Sequence, residues 1–126
     1  MDKAERSAYP AVGTWPLDDE VIGLRVFGTD QIYKLSPDAR VQIIGSSTTC
    51  DVVLRTHSGA VAARHARLIR RGSRWLIQAI AETQGGHVYR DRVALRAFPL
   101  VPSIEIGIGD GTLVAESERS RRARRG

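Results

Sequence analysis

Two neighbouring segments, Gly45-Ser46-Ser47-Thr48-Thr49-Cys50-Asp51-Val52-Val53-Leu54 and, after a short loop, Val61-Ala62-Ala63-Arg64-His65-Ala66-Arg67-Leu68, set the grammar of the whole chain. A glycine closes an extended run, and hydroxyl residues then form a polar loop. Val52-Val53-Leu54 is a short apolar strand, since β-branched side chains fit a pleated, buried surface. The second segment leads into His65-Ala66-Arg67-Leu68-Ile69-Arg70, another extended run. Neither connection holds enough periodic residues for a helix. Strand, polar loop, strand is the pattern.

The same pattern extends in both directions. Upstream, Arg40-Val41-Gln42-Ile43 alternates apolar with polar, and Ile32-Tyr33-Lys34-Leu35 is stopped by Ser36-Pro37-Asp38. Leu24 and Val26 alternate about Arg25 before the turn residues Gly28-Thr29-Asp30. Downstream, Arg74-Trp75-Leu76-Ile77-Gln78 follows Arg71-Gly72-Ser73, which reads as a tight hairpin. Val88 to Leu95 reads as a pair of short strands, and Ile104-Glu105-Ile106 alternates cleanly. Asp110-Gly111 then turns into Thr112-Leu113-Val114. A second polar, glycine-bearing stretch, Thr83-Gln84-Gly85-Gly86-His87, interrupts the strands. No helical period is sustained and no internal repeat is visible. Many short strands at close spacing predict a sandwich or a barrel.

The chain has 126 residues, enough for one domain with its own core. The expected division is a flexible arm over 1–20, a β-domain over 21–115 and a flexible arginine-rich tail over 116–126. No apolar run approaches the ~20 residues that span a bilayer. Met1-Asp2-Lys3-Ala4-Glu5-Arg6 lacks the apolar core of a secretory leader, so a cytoplasmic location is expected. A single cysteine, Cys50, rules out an internal disulfide and a cysteine-rich zinc site. The formal charge is +5, and much of it stands in the last stretch, Glu118 to Gly126. A run of like charge without an apolar pattern reads as solvated.

On these segments the chain resembles the forkhead-associated (FHA) family. That family's pattern is Gly-Arg, then Asp-Ile-x-Leu, then Ser-x-x-His-Ala, a Trp-bearing strand, and Asn-Gly-Thr-x-Val. Gly45 stands at the first glycine, and Asp51-Val52-Val53-Leu54 fits the second element. His65-Ala66 matches the His-Ala pair, Trp75 the aromatic, and Gly85 with Val88 the last turn. The likeness covers roughly 21–115. It implies an all-β, FHA-like sandwich of about ten to eleven short, mostly antiparallel strands. It further implies an intracellular signalling or regulatory module whose loop end docks a protein partner bearing phosphothreonine. A phosphate carries nearly two charges, and guanidinium, hydroxyl and backbone N–H groups on a rigid scaffold suit it.

Four departures fall at the loops. Ser46 replaces the phosphate-binding Arg, Ala62 the phosphate-binding Ser, Ala63 an Arg that often follows it, and Gln84 the peptide-gripping Asn. Phosphothreonine recognition is therefore expected to be weakened or lost. The expected partner surface is Ser46, Ser47, Thr48, Arg64, Gln84 and Gly85, with Gly45 and His65 as its scaffold. Arg55 and Arg64 lie close in sequence to the hydroxyl-rich loop, which leaves two readings open: ordinary polar loop residues on a site that has drifted, or a substitute anion pocket.

Other readings are mostly bland. His65 lacks a neighbouring nucleophile and is expected to brace the loops. His57 and His87 stand in no metal-ligand spacing. Gly107-Ile108-Gly109-Asp110-Gly111 lacks the helix and Lys-Ser/Thr of a phosphate-binding loop and reads as a turn. Cys50 reads as a small filler, and Trp75, Leu76 and Ile77 as core. No acid, base and nucleophile set can be assembled, so no enzyme activity, cofactor or metal is expected. Two other functions remain open: nucleic-acid binding through the tail from Arg119 to Gly126, and a phosphate-independent structural or dimerising role. No membrane association is expected.

Overall fold

A computed structural model of the chain describes residues 20–80 and 87–125. Within them the alternating segments become eleven strands. They are β1 (Val21–Val26), β2 (Ile32–Lys34), β3 (Val41–Gly45), β4 (Val52–Val53), β5 (Ala66–Arg71) and β6 (Arg74–Ala79). Then follow β7 (Val88–Arg90), β8 (Val93–Leu95), β9 (Ala97–Pro99), β10 (Glu105–Ile108) and β11 (Gly111–Ser117). One helix, α1 (Glu118–Arg125), ends the described chain.

The strands form a six-stranded sheet, β2-β1-β11-β10-β7-β8, and a five-stranded sheet, β4-β3-β5-β6-β9. Every pairing is antiparallel except β3 with β4, which run parallel with Ile44 opposite Val52. The expected all-β sandwich is what forms. Alternation explains the layering, because successive side chains on a strand face opposite ways. Leu24, Ile44, Leu68, Ile77, Ile106, Ile108 and Leu113 are fully buried, and they come from both sheets. Trp75 is buried with them, as its place on an apolar strand predicted.

Turn chemistry sets the hairpins. Gly72 takes φ +62 between β5 and β6, a conformation other residues adopt only with strain. Between β7 and β8 two non-glycine residues, Asp91 and Arg92, carry positive φ. Asp91 repays part of that strain by accepting a hydrogen bond on Oδ1 from the Glu105 N–H at 3.0 Å.

The C-terminal boundary needs correcting. Composition predicts a flexible tail over 116–126, but Glu116 and Ser117 complete β11 and are buried. Glu116 pairs with Arg25 at 2.9 Å across the sheet, a partner ninety-one positions away that no local pattern announces. From Glu118 the chain is helical. Ser117 caps that helix, its Oγ accepting from the Ser120 N–H at 3.1 Å while the Ser120 Oγ accepts from the Ser117 N–H at 2.7 Å. Glu118 sits in the first turn, where a negative charge suits the helix dipole, and pairs with Arg121 at 3.0 Å. An eight-residue helix is marginal alone, so this cap and its continuity with β11 hold it. The arm over residues 1–19 lies outside the described residues.

Candidate functional site

Strand direction brings three connections to one end of the sandwich. β3 runs into the connection 46–51, β4 into the long connection 54–65, and β10 into the turn at Gly109-Asp110. The first two are sewn together by main chain. The Ser46 N–H donates to the Ala62 carbonyl at 3.0 Å, and the Ser47 N–H to the Ala63 carbonyl at 3.2 Å. Gly45 makes this possible, since a Cβ there would stand 2.1 Å from the Ala63 carbonyl oxygen. Only glycine fits.

Within the first loop, the Ser47 and Thr49 hydroxyls lie 2.8 Å apart, and Ser47 Oγ accepts from the Thr49 N–H at 3.2 Å. Asp51 ends the loop by accepting on Oδ2 from the Ile43 N–H at 2.8 Å. Cys50 is more than the filler the sequence implied, for its thiol donates to the Ala63 carbonyl at 3.1 Å. Burial pushes that thiol above its ordinary pKa, so it stays protonated and able to donate.

The second loop is braced at both ends. His65 is buried, and its Nδ1 accepts from the Ala62 N–H at 3.0 Å. Its own main chain joins the two sheet neighbours, donating to the Ile44 carbonyl and accepting from the Ile80 N–H. Acceptance at Nδ1 requires a neutral imidazole, and burial favours that form by lowering the pKa from 6.5. At the other end, Thr56 and Ser58 donate their hydroxyls to the two carboxylate oxygens of Asp110, each at 2.5 Å. Gly109 lies against the Ala60 carbonyl, where a Cβ would approach to 2.7 Å. The sequence marks Asp110 only as a turn residue, because its two hydroxyl partners lie more than fifty positions away.

Because the folded pKa of His65 is depressed, the unfolded chain binds more protons at mildly acid pH. The stabilisation is therefore complete above 6.5 and lost as pH falls through the folded value. The melting temperature is expected to fall between about pH 7.5 and about pH 5, and His65→Gln is expected to flatten that slope. Equal slopes in the two proteins would contradict the brace.

A sequence model of the FHA domain matches residues 42–109, more than half of the chain. The chain belongs to the FHA domain family. Among solved structures, it is similar to EmbR of Mycobacterium tuberculosis, solved with a low-affinity phosphopeptide, at 22% identity and a TM-score of 0.65. That match covers 78% of this chain and 24% of the EmbR chain. It is also similar to the N-terminal FHA domain of Rad53p from S. cerevisiae, solved with a phosphothreonine peptide, at 17% identity and a TM-score of 0.63. Here 82% of this chain and 98% of the other are covered. A third likeness is to the FhaA FHA domain, solved with the intracellular domain of another protein, at 18% identity and a TM-score of 0.62, over 73% and 96% of the two chains. No curated protein matches the sequence. At such identities the likeness shows the fold.

In this FHA domain the expected surface residues divide into two groups. Gly45, Ser46, Ser47, Thr48, Arg64 and His65 all come to the same end, with Thr48 and Arg64 exposed. Gln84 and Gly85 lie outside the described residues. Arg55 is the useful addition: its Nε donates to the Ser46 carbonyl at 3.0 Å, which holds a guanidinium against the residue that replaces the family's arginine. Beside the loop end, Phe27, Thr112, Gly107 and Tyr89 form one cross-strand row on the six-stranded sheet. Phe27 and Tyr89 are exposed, and the glycine between them leaves a depression of about 480 Å³ that ends at Asp110.

Proposed function

We propose that this FHA domain is a protein-docking module in signalling or regulation whose loop end holds an anionic segment of its partner, with phosphothreonine recognition weakened relative to a chain carrying Arg at position 46 and Ser at 62. One observation carries the reading: the Arg55 guanidinium is tied to the Ser46 carbonyl, beside the Ser47 and Thr49 hydroxyls. Guanidinium and hydroxyl groups converging on rigid loops are the donors a phosphate or carboxylate takes. Arg64 is exposed on the adjoining loop and adds positive charge. The N–H groups of Ser46 and Ser47 are already spent on the neighbouring loop, so side chains must supply the grip. No catalytic step is part of the proposal.

The test is a titration with a degenerate phosphothreonine peptide library, followed by NMR shifts of the backbone amides. Saturable shifts at Ser46, Ser47 and Arg55 that require the phosphate are expected. Arg55→Ala should weaken them about tenfold or more, the worth of one charge-assisted hydrogen bond of ~1.5–3 kcal/mol. Identical shifts with the unphosphorylated library would overturn phosphate reading. No shifts, together with a mass that grows with concentration, would favour the dimerising role instead.

A further inference from the structure

The end of the sandwich opposite the loops collects arginine from three separate elements. β5 and β6 turn there through Arg70, Arg71 and Arg74, and the connection before β3 contributes Arg40, whose carbonyl accepts from the Arg70 N–H at 2.8 Å. Helix α1 brings Arg119, Arg121 and Arg122 and continues through Arg124 and Arg125. Register joins these elements. Val21 stands opposite Ser117, the residue that caps α1, and the adjacent Glu20 reaches Arg70 at 3.5 Å. Among the described side chains these are seven arginines, against the carboxylates of Glu20, Asp38, Glu116 and Glu118 at the same end.

We infer that this pole is a second binding site, for the phosphate backbone of a nucleic acid. Its composition discriminates among polyanions. A protein interface draws its affinity from buried aromatic and aliphatic anchors. Little of that kind stands here: the turn residues are Arg71, Gly72, Ser73 and Arg74, the only apolar residue of α1 is Ala123, and Val41, beside Arg40, is a single exposed aliphatic side chain with no aromatic partner. A helix that lies in a membrane surface needs an apolar face to insert, and α1 has none. Nucleic-acid interfaces are polar and strongly positive, which this pole is. Arginine supplies the charge throughout, and its planar fork pairs with phosphate oxygens two at a time. Ser36 and Ser73 place hydroxyls beside it. The site differs from a charged tail, because β5 and β6 fix part of it and the Ser117 cap fixes the start of the rest.

The full chain is titrated with a 30-base-pair duplex, with single-stranded RNA, with polyglutamate and with vesicles rich in phosphatidylserine. Binding to duplex or RNA is expected, and neutralising about four phosphates would weaken it about a hundredfold between about 50 and about 200 mM salt. The double variant Arg71→Glu/Arg122→Glu should lose at least tenfold with an unchanged melting temperature, while Arg55→Ala, at the other end, should bind as the parent does. The inference fails if no nucleic acid binds at low salt, if polyglutamate or vesicles bind as tightly, or if the double variant keeps full affinity. It also fails if removing residues 118–126 alone accounts for all binding while Arg40→Ala/Arg71→Ala has no effect.

Discussion

Gly45→Ala is expected to destabilise the domain by about 3 kcal/mol or more and to disorder both loops that Gly45 joins. The reason is a backbone collision. The added methyl would lie 2.1 Å from the Ala63 carbonyl oxygen and 3.0 Å from that of Ala62. Neither oxygen can swing aside as a side chain would, for Ala62 and Ala63 accept the Ser46 and Ser47 N–H groups. Separating the loops would break both bonds, and with them the thiol contact from Cys50. Chemical denaturation should give the loss in stability. Amide exchange at Ser46, Ser47 and Ala62 should quicken far more than at Leu68 or Ile77. A variant as stable as the parent would mean the loops are not coupled as described.

The second large effect is a gain. Ser46→Arg/Ala62→Ser restores the two phosphate ligands that the family pattern places at these positions. Each charge-assisted hydrogen bond contributes on the order of 1.5–3 kcal/mol, so the pair together should add ~3 kcal/mol or more. Affinity for a phosphothreonine peptide should rise roughly a hundredfold. Unphosphorylated peptide should gain nothing. Ser46 is half-buried and its main-chain hydrogen bonds do not use its side chain, so the scaffold tolerates the exchange. Calorimetry on both peptides decides it. A rise below about threefold, or equal gains for both peptides, would show that the loops no longer present these positions to a phosphate.

Much of the architecture was legible because a half-buried strand writes its period directly into the sequence. Leu24 and Ile106 were each flanked by alternation, Ile77 stood in a short apolar run, and Gly72 marked its hairpin. What escaped depends on distant partners. Glu116 looked like the start of a charged tail, yet its ion pair with Arg25 lets it end a buried strand. Helix α1 was hidden by the same arginines that build it. They have no apolar period, although Ser117 followed by Glu118 was a local start signal that could have been taken. At the loop end, motif spacing pointed to Gly45 and His65, which brace the two loops. The tie from Thr56 and Ser58 to Asp110 was not, because the turn that supplies the carboxylate belongs to the other sheet. The turn at Asp91-Arg92 gave no glycine to announce it, and only the hydrogen bond from Glu105 explains why it is tolerated.

The pairing of β1 with β11 has an architectural consequence. Val21 and Ser117 are direct neighbours, so the polypeptide enters and leaves the sandwich through the same doorway, a strand's length of roughly 20 Å behind the docking loops. Chain that leads into Val21 and chain that follows Ser117 therefore meet the domain at its rear. Grafted into a host protein at that doorway, the sandwich behaves as a cartridge: it needs only one attachment point, and its loop end faces away from whatever is placed behind it.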